Sequence, residues 1–82
     1  MMTTARAQIR TPGDVGLALQ QARLEKGLTQ MQLAELVGEP QSTISQLESG
    51  SSTIYLKRLL ALAKALDLEL TAAWELTGEP DR

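Results

Sequence analysis

The chain has 82 residues, a net charge of −2, and neither cysteine nor histidine. A chain of this length forms one small domain that buries roughly 60–65% of its unfolded surface, so a partner subunit would help to stabilise it. The absence of cysteine excludes disulfides and thiolate metal sites and is typical of a reducing cytoplasm. Because the chain has no Phe, one Tyr and one Trp, its core must consist of smaller aliphatic side chains, which favours an all-α bundle.

Composition also bears on the class of function. With no His to act as a base and no Cys as a nucleophile, and with no glycine-rich loop after a strand, we expect neither an enzyme nor a cofactor or metal site. Residues 1–10 lack the apolar stretch of a signal peptide, so we expect a cytoplasmic protein without a membrane segment. Residues 1–64 carry a net +2 and residues 65–82 a net −4. The acidic end should therefore lie away from phosphates and is free to face another protein.

Local signals divide the chain in order. Residues 1–10 show no periodicity and are interpreted as a flexible N-terminal arm. Thr11 and Pro12 are typical of a helix start, with Asp14 three residues after the cap. That helix carries one apolar stripe and ends at Gly27. The stripe consists of Val15, Ala18, Leu19 and Ala22.

Two short helices and a longer one follow. Thr29 is the expected cap of a helix over Gln30–Val37, which Gly38 ends, and Pro40 begins a third helix that reaches Glu48. A turn over residues 49–52 leads to a fourth helix from about Thr53 to Leu66. The residues expected inside are Leu33, Ala34, Val37, Ile44 and Leu47, followed by Leu56, Leu59, Leu60, Ala63 and Leu66.

The hydrophobic period changes after the fourth helix. Residues 68–76 alternate between apolar and polar side chains, which is a strand pattern; a short helix beginning at Thr71 is the alternative. A lone strand needs a partner, so we expect it to pair across a homodimer. The interface residues would be Leu68, Leu70, Ala72 and Trp74. Residues 11–67 are thus a four- to five-helix domain, and residues 77–82 an acidic tail.

The spacing within residues 30–49 is the strongest functional signal. Ala34 and Gly38 stand fifth and ninth from Gln30, where two helices joined by a tight turn need small residues. With Ile44 and Leu47 inside, the third helix presents short hydroxyl or amide side chains outward, and these can read bases in the major groove. They are Gln41, Ser42, Thr43, Ser45 and Gln46.

These residues, from Gly27 to Gly50, together with Leu59–Leu66, resemble the lambda-repressor-like (Xre-type) helix-turn-helix family. The resemblance covers roughly residues 11–70. It implies that the five outward residues read DNA bases, and that Gln30, Ser49, Ser51 and Ser52 contact the DNA backbone. It also implies a structural ion pair between Arg23 and Glu48. Glu39 departs from the usual apolar residue after the turn glycine, which puts the contacts around Glu39 and Pro40 in question.

Leu68-Glu69-Leu70 and the start Arg10–Gly16 further resemble HipB-type antitoxins. The resemblance implies a repressor that autoregulates its operon on a palindromic operator and binds a HipA-like kinase toxin. Two alternatives remain: a stand-alone Xre-type regulator, or a protein-interaction module for which DNA binding is secondary. Trp74 belongs either to a partner surface or to the dimer's own seam. Lys57 and Arg58 form either a solvated helix face or a phosphate contact.

Overall fold

The computed structural model describes residues 3–51 and 53–76 of the chain. Four helices are flanked by two strands, which confirms the helical architecture. The elements are β1 (Thr3–Gln8), α1 (Pro12–Glu25), α2 (Gln30–Val37), α3 (Gln41–Glu48), α4 (Ile54–Ala65) and β2 (Thr71–Leu76).

Side-chain caps set the helix starts. The Thr11 hydroxyl accepts a hydrogen bond from the Asp14 amide, and the Asp14 carboxylate accepts one from the Thr11 amide, so both members of a capping box are present. Thr29 and Gln32 repeat this arrangement at α2. Gly38 ends α2 in the left-handed conformation, at φ 73°, which costs glycine little. Pro40 precedes α3 as its N-cap instead of forming its first turn.

The two strands form one antiparallel sheet within the chain. Thr3 pairs with Leu76 and Gln8 with Thr71, and a further bond joins the Ile9 amide to the Leu70 carbonyl at 2.9 Å. The flexible arm predicted for residues 1–10 is therefore wrong for residues 3–8. A strand does form near the C-terminus, not the alternative helix, but it begins at Thr71 and its partner is β1 of the same chain. Pairing between two subunits remains a prediction.

The helices meet at a close crossing of α1 and α3. A Cβ on Gly16 would lie 2.4 Å from the carbonyl oxygen of Leu47 and 2.6 Å from that of Glu48. Only glycine therefore allows α1 to lie against the last turn of α3 at this distance. The buried apolar side chains of the described residues are small or medium in size. They are Ala18, Ala34, Ile44, Leu60 and Ala63.

Several side chains expected in the core lie on the surface. Val37 is 55% exposed, Leu59 50% and Leu66 72%. The prediction of burial is wrong for these three. Each helix of this small domain packs against its neighbours on one side only, so side chains on its other side remain exposed. Leu56 is half-buried, and Leu60 and Ala63 are buried, so the prediction that these three face the interior is confirmed.

Candidate nucleic-acid interface

α3 presents a polar outer surface and an apolar inner one. Ile44 is buried and Leu47 half-buried against the rest of the domain. Of the five proposed base readers, four are exposed, and Thr43 is half-buried because it lies nearer the core side of the helix. The exposed four are Gln41, Ser42, Ser45 and Gln46. The structure thus brings the hydrogen-bonding side chains together on one accessible helix surface.

Gln30 at the start of α2 touches Gln41 at the start of α3. The Gln41 Nε2 donates to Gln30 Oε1 at 3.4 Å, and Gln30 Nε2 donates to Glu48 Oε1 at 3.0 Å. Both ends of the Gln30 amide therefore have partners, which fixes the orientation of its amide plane. The predicted backbone contact and the first predicted base reader are neighbours in space.

The predicted pair of Arg23 and Glu48 is present. Arg23 Nε donates to Glu48 Oε2 at 2.6 Å and Arg23 Nη2 to Glu48 Oε1 at 2.9 Å. The third guanidinium nitrogen, Nη1, donates to the carbonyl oxygen of Leu28 at 2.7 Å. The side chains are 8% and 3% exposed. This charged, two-point contact ties α1 to the end of α3 and to the turn before α2.

The two charged groups shift each other's pKa. Hydrogen bonding from Arg23 lowers the pKa of Glu48; burial acts in the opposite direction, and the bond from Gln30 lowers it further. Hydrogen bonding to Glu48 in turn raises the pKa of Arg23. Glu48 is therefore held as a carboxylate, the form that accepts bonds from Arg23 and Gln30 at once.

The turn after α3 holds two of the predicted backbone contacts. Ser49 and Ser51 are exposed, and the Ser49 hydroxyl donates to the Gln46 carbonyl at 2.9 Å. Their hydroxyl oxygens lie 3.4 Å apart. Gly50 between them has φ 89°, which turns the chain away from the helix. Ser52 lies outside the described residues.

The residues that precede α3 are also exposed. Glu39 and Pro40 both face solvent, and the Glu39 amide donates to the Ala34 carbonyl at 3.0 Å. Pro40 provides no side-chain cap. The carboxylate of Glu39 is thus adjacent to the helix start that would approach phosphates, where the helix dipole favours it but a phosphate would not.

The predicted dimer residues face their own chain in part. Ala72 and Trp74 lie on the half-buried face of β2, and Trp74 borders a cleft with Leu19 and Leu33. Its indole Nε1 is buried and has no hydrogen-bond partner among residues 3–51 and 53–76. Leu70 is half-buried and Leu68 is 54% exposed. Trp74 therefore lies across this cleft from apolar side chains of α1 and α2 in the same chain.

Sequence reasoning missed two contributors to this arrangement. Gly16 was given no role, although an isolated glycine within a helical pattern is a signal of close packing. The bond from Gln30 to Glu48 had no signal in the sequence, since it joins residues on different helices. In the described parts of the chain, no group of three metal-ligating side chains converges, and no helix has the length and apolar character to cross a membrane.

The chain is similar to curated proteins named multiprotein-bridging factors. Multiprotein-bridging factor 1b of Arabidopsis thaliana is 41% identical over 61 residues, which are 74% of this chain and 43% of that protein. Multiprotein-bridging factor 1 of Candida albicans is 41% identical over 66 residues, 80% of this chain and 42% of its own length. The chain thus spans less than half the length of these curated relatives.

No solved structure gives a significant match. The family model described as helix-turn-helix matches residues 19–72, which include α2, α3 and the turn between them. This match agrees with the paired helices, the left-handed Gly38 and the polar surface of α3. The chain belongs to the helix-turn-helix family.

Proposed function

We propose that this protein is a sequence-specific regulator of transcription that binds double-stranded DNA through α3. The observation that carries the proposal is the exposed row of amide and hydroxyl side chains on α3, within a helix-turn-helix. A solvated helix without such a task more often carries Lys and Glu on its outer side. A major groove admits one α-helix and offers donors and acceptors to these side chains.

The contacts of Gln41 suit base recognition. A glutamine reads adenine by accepting from the N6 amino group through Oε1 and donating to N7 through Nε2. The Nε2 of Gln41 has two hydrogens, and one of them points to Gln30 Oε1. Among the described residues, the second hydrogen and Oε1 have no other partner, so both can face the base. Gln30 would contact the DNA backbone and at the same time hold the Gln41 amide in position.

The test is binding of the purified chain to fragments of its own promoter. We expect a palindromic fragment to shift, with half-sites about one helical turn apart. Gln41→Ala should lose about 1–3 kcal/mol of discrimination at one base pair per half-site. Gln21→Ala, an exposed glutamine on α1, is the matched control and should bind like the parent. Equal weakening on all sequences, or no binding to any fragment at low salt, would overturn the proposal.

A narrower proposal is that the protein is a dimeric repressor and the antitoxin of a HipBA-type module. It is supported by the resemblance of Leu68-Glu69-Leu70 and of the chain start to HipB-type antitoxins, and by a strand near that position. The two bridging factors that the chain resembles give it no support. A HipA-like kinase encoded beside this gene, and its stable complex with the chain, would support this role; a gene without such a neighbour would count against it.

The second candidate function is protein interaction with DNA binding secondary. Two observations favour it: the names of the bridging factors and the acidic excess after residue 64. The promoter experiment separates the two functions. A folded chain that ignores every promoter fragment at low salt would favour the interaction module.

A further inference from the structure

α4 carries two separate apolar rows. The inner row is Leu56, Leu60 and Ala63, which are half-buried or buried. The outer row faces solvent, with exposed fractions between 50% and 79%. It consists of Tyr55 (79%), Leu59 (50%) and Leu62 (61%) in α4, and Leu66 (72%) at the C-cap of the helix.

The outer row is an unusual feature for a free surface. A helix at the surface of a domain normally has one apolar stripe, and a helix that is apolar on more than one side is normally covered. At the area per side chain that transfer free energies imply, the four residues expose on the order of 350 Å² of apolar surface. A standard interface buries about 800 Å² per partner, a little over half of it apolar. The outer row thus provides most of the apolar surface that a stable interface requires.

The spacing of the row is the same in both directions. From Tyr55 the steps are four, three and four residues, and the same steps result from counting back from Leu66. Two copies of α4 packed antiparallel about a two-fold axis would place Tyr55 opposite the second Leu66. The same operation places Leu59 opposite the second Leu62. A two-fold interface requires this self-complementarity, since the same surface must fit itself.

The residues beside the row also suit a second copy. Lys57 and Lys64 lie on the far side of the helix from the row, so only Arg58 places a charge beside it. An acidic partner helix would find only the charge of Arg58 to pair with beside the row. An apolar row on a second copy of the chain would pack against this apolar row.

We infer that the outer row of α4 is the interface of a homodimer in which two α4 helices pack antiparallel. The dimer so formed does not use β2, whose partner in the sheet is β1 of the same chain. Formation of this dimer needs no DNA. The inference can therefore be correct or wrong independently of the proposed function.

Sedimentation equilibrium of the full chain at micromolar concentration tests the interface. Leu62→Glu replaces two leucines per dimer, and we expect dimerisation to weaken by at least about 100-fold. Leu36→Glu is the matched control: Leu36 is 71% exposed on α2, and the dimer should be unchanged. A parent chain that is monomeric, or a dimer that resists Leu62→Glu, would overturn the inference.

Cross-linking tests the antiparallel register with small substitutions that a folded chain tolerates. The chain has no cysteine, so Leu59→Cys and Leu62→Cys each introduce one thiol. We expect a mixture of the two variants to form a disulfide between them faster than either variant alone forms one with itself. Equal rates in the mixture and in the separate variants would contradict the register. Far-ultraviolet circular dichroism and Trp74 emission verify that each variant is folded.

Discussion

Arg23 on α1 and Glu48 at the end of α3 form a two-point ion pair, with Nε 2.6 Å from Oε2 and Nη2 2.9 Å from Oε1. The same carboxylate accepts a bond from Gln30, and Gln30 accepts one from Gln41. A structural contact inside the domain is therefore continuous with the surface proposed to meet DNA. Glu48 should affect both the stability of the fold and the orientation of Gln41.

Removing the Glu48 carboxylate should be costly for the fold. Glu48→Ala leaves the Arg23 guanidinium without its charged partner, and breaking one side of a buried pair is strongly destabilising. We expect the melting temperature to fall by at least about 10 °C, measured by circular dichroism. Glu35→Ala, an exposed glutamate on α2, is the control. A Glu48→Ala protein as stable as the control would show that the pair contributes little.

The free energy of unfolding should also depend on pH, because Glu48 of this ion pair can be protonated in acid. In the folded state the pKa of Glu48 is below its ordinary value of 4.5, chiefly through hydrogen bonding from Arg23. The unfolded chain then binds more protons than the folded one in mild acid. The stabilisation is complete above pH 4.5 and is lost as pH falls through the lower, folded-state pKa.

The measurement is the melting temperature of the parent and of Glu48→Gln between neutral and acidic pH. The parent should lose stability on acidification more steeply than Glu48→Gln. Part of the loss should persist in the variant, because the pKa of Asp14 is also lowered, chiefly by the backbone bond from Arg10. Parallel acid curves for the two proteins would contradict this role of Glu48.

Gly16→Ala should disrupt the crossing of α1 and α3. The new Cβ would lie 2.4 Å from the Leu47 carbonyl oxygen, so the helices must move apart. We expect a loss of about 2–3 kcal/mol in the free energy of unfolding, measured with urea. Gly13→Ala is the matched control, since its Cβ would meet only Thr11 Oγ1 at 3.6 Å. It should stay within about 1 kcal/mol of the parent. Equal effects at both positions would mean that the crossing is not close.

Ala5→Asp tests the sheet between β1 and β2. Ala5 is half-buried and pairs with Trp74, so a carboxylate there would be desolvated beside the indole. We expect Trp74 emission to shift to longer wavelength and the melting temperature to fall by about 5 °C or more. Ala73→Asp is the matched control on the exposed face, opposite Arg6. An unchanged emission in Ala5→Asp would show that residues 3–8 do not pair with β2.

The salt dependence of DNA binding should be shallow. No Lys or Arg occurs from Gly27 to Leu56, the segment that holds α2, α3 and the turn after α3. Each phosphate neutralised by a cation adds about 0.9 to the slope of log affinity against log salt, and a strongly basic repressor reaches about 10. From DNA-binding titrations at several salt concentrations, we expect a slope of log affinity against log salt that is less than half that of the strongly basic repressor. A steep slope would place the DNA contacts on another surface, such as one around Lys57 and Arg58.

The sequence by itself determined the helices and the polar outer surface of α3. Thr11, Thr29 and Thr53 cap the helices that follow them, and Gly38 ends α2 as predicted. These signals act between residues three or four apart, so they can be read without a structure. The polar surface of α3 could also be predicted from the sequence, because the helical period determines which side chains lie on the same face of a helix.

Only the tertiary structure decided which distant parts meet. β1 pairs with a strand more than sixty residues away, and the alternation of Ala5 and Ala7 with Arg6 and Gln8 does not identify that partner. Gly16 and the link from Gln30 to Glu48 depend on helices that cross in space. The exposed row of α4 looks like core in the sequence, because an apolar stripe has the same pattern whether its own chain or a second copy covers it.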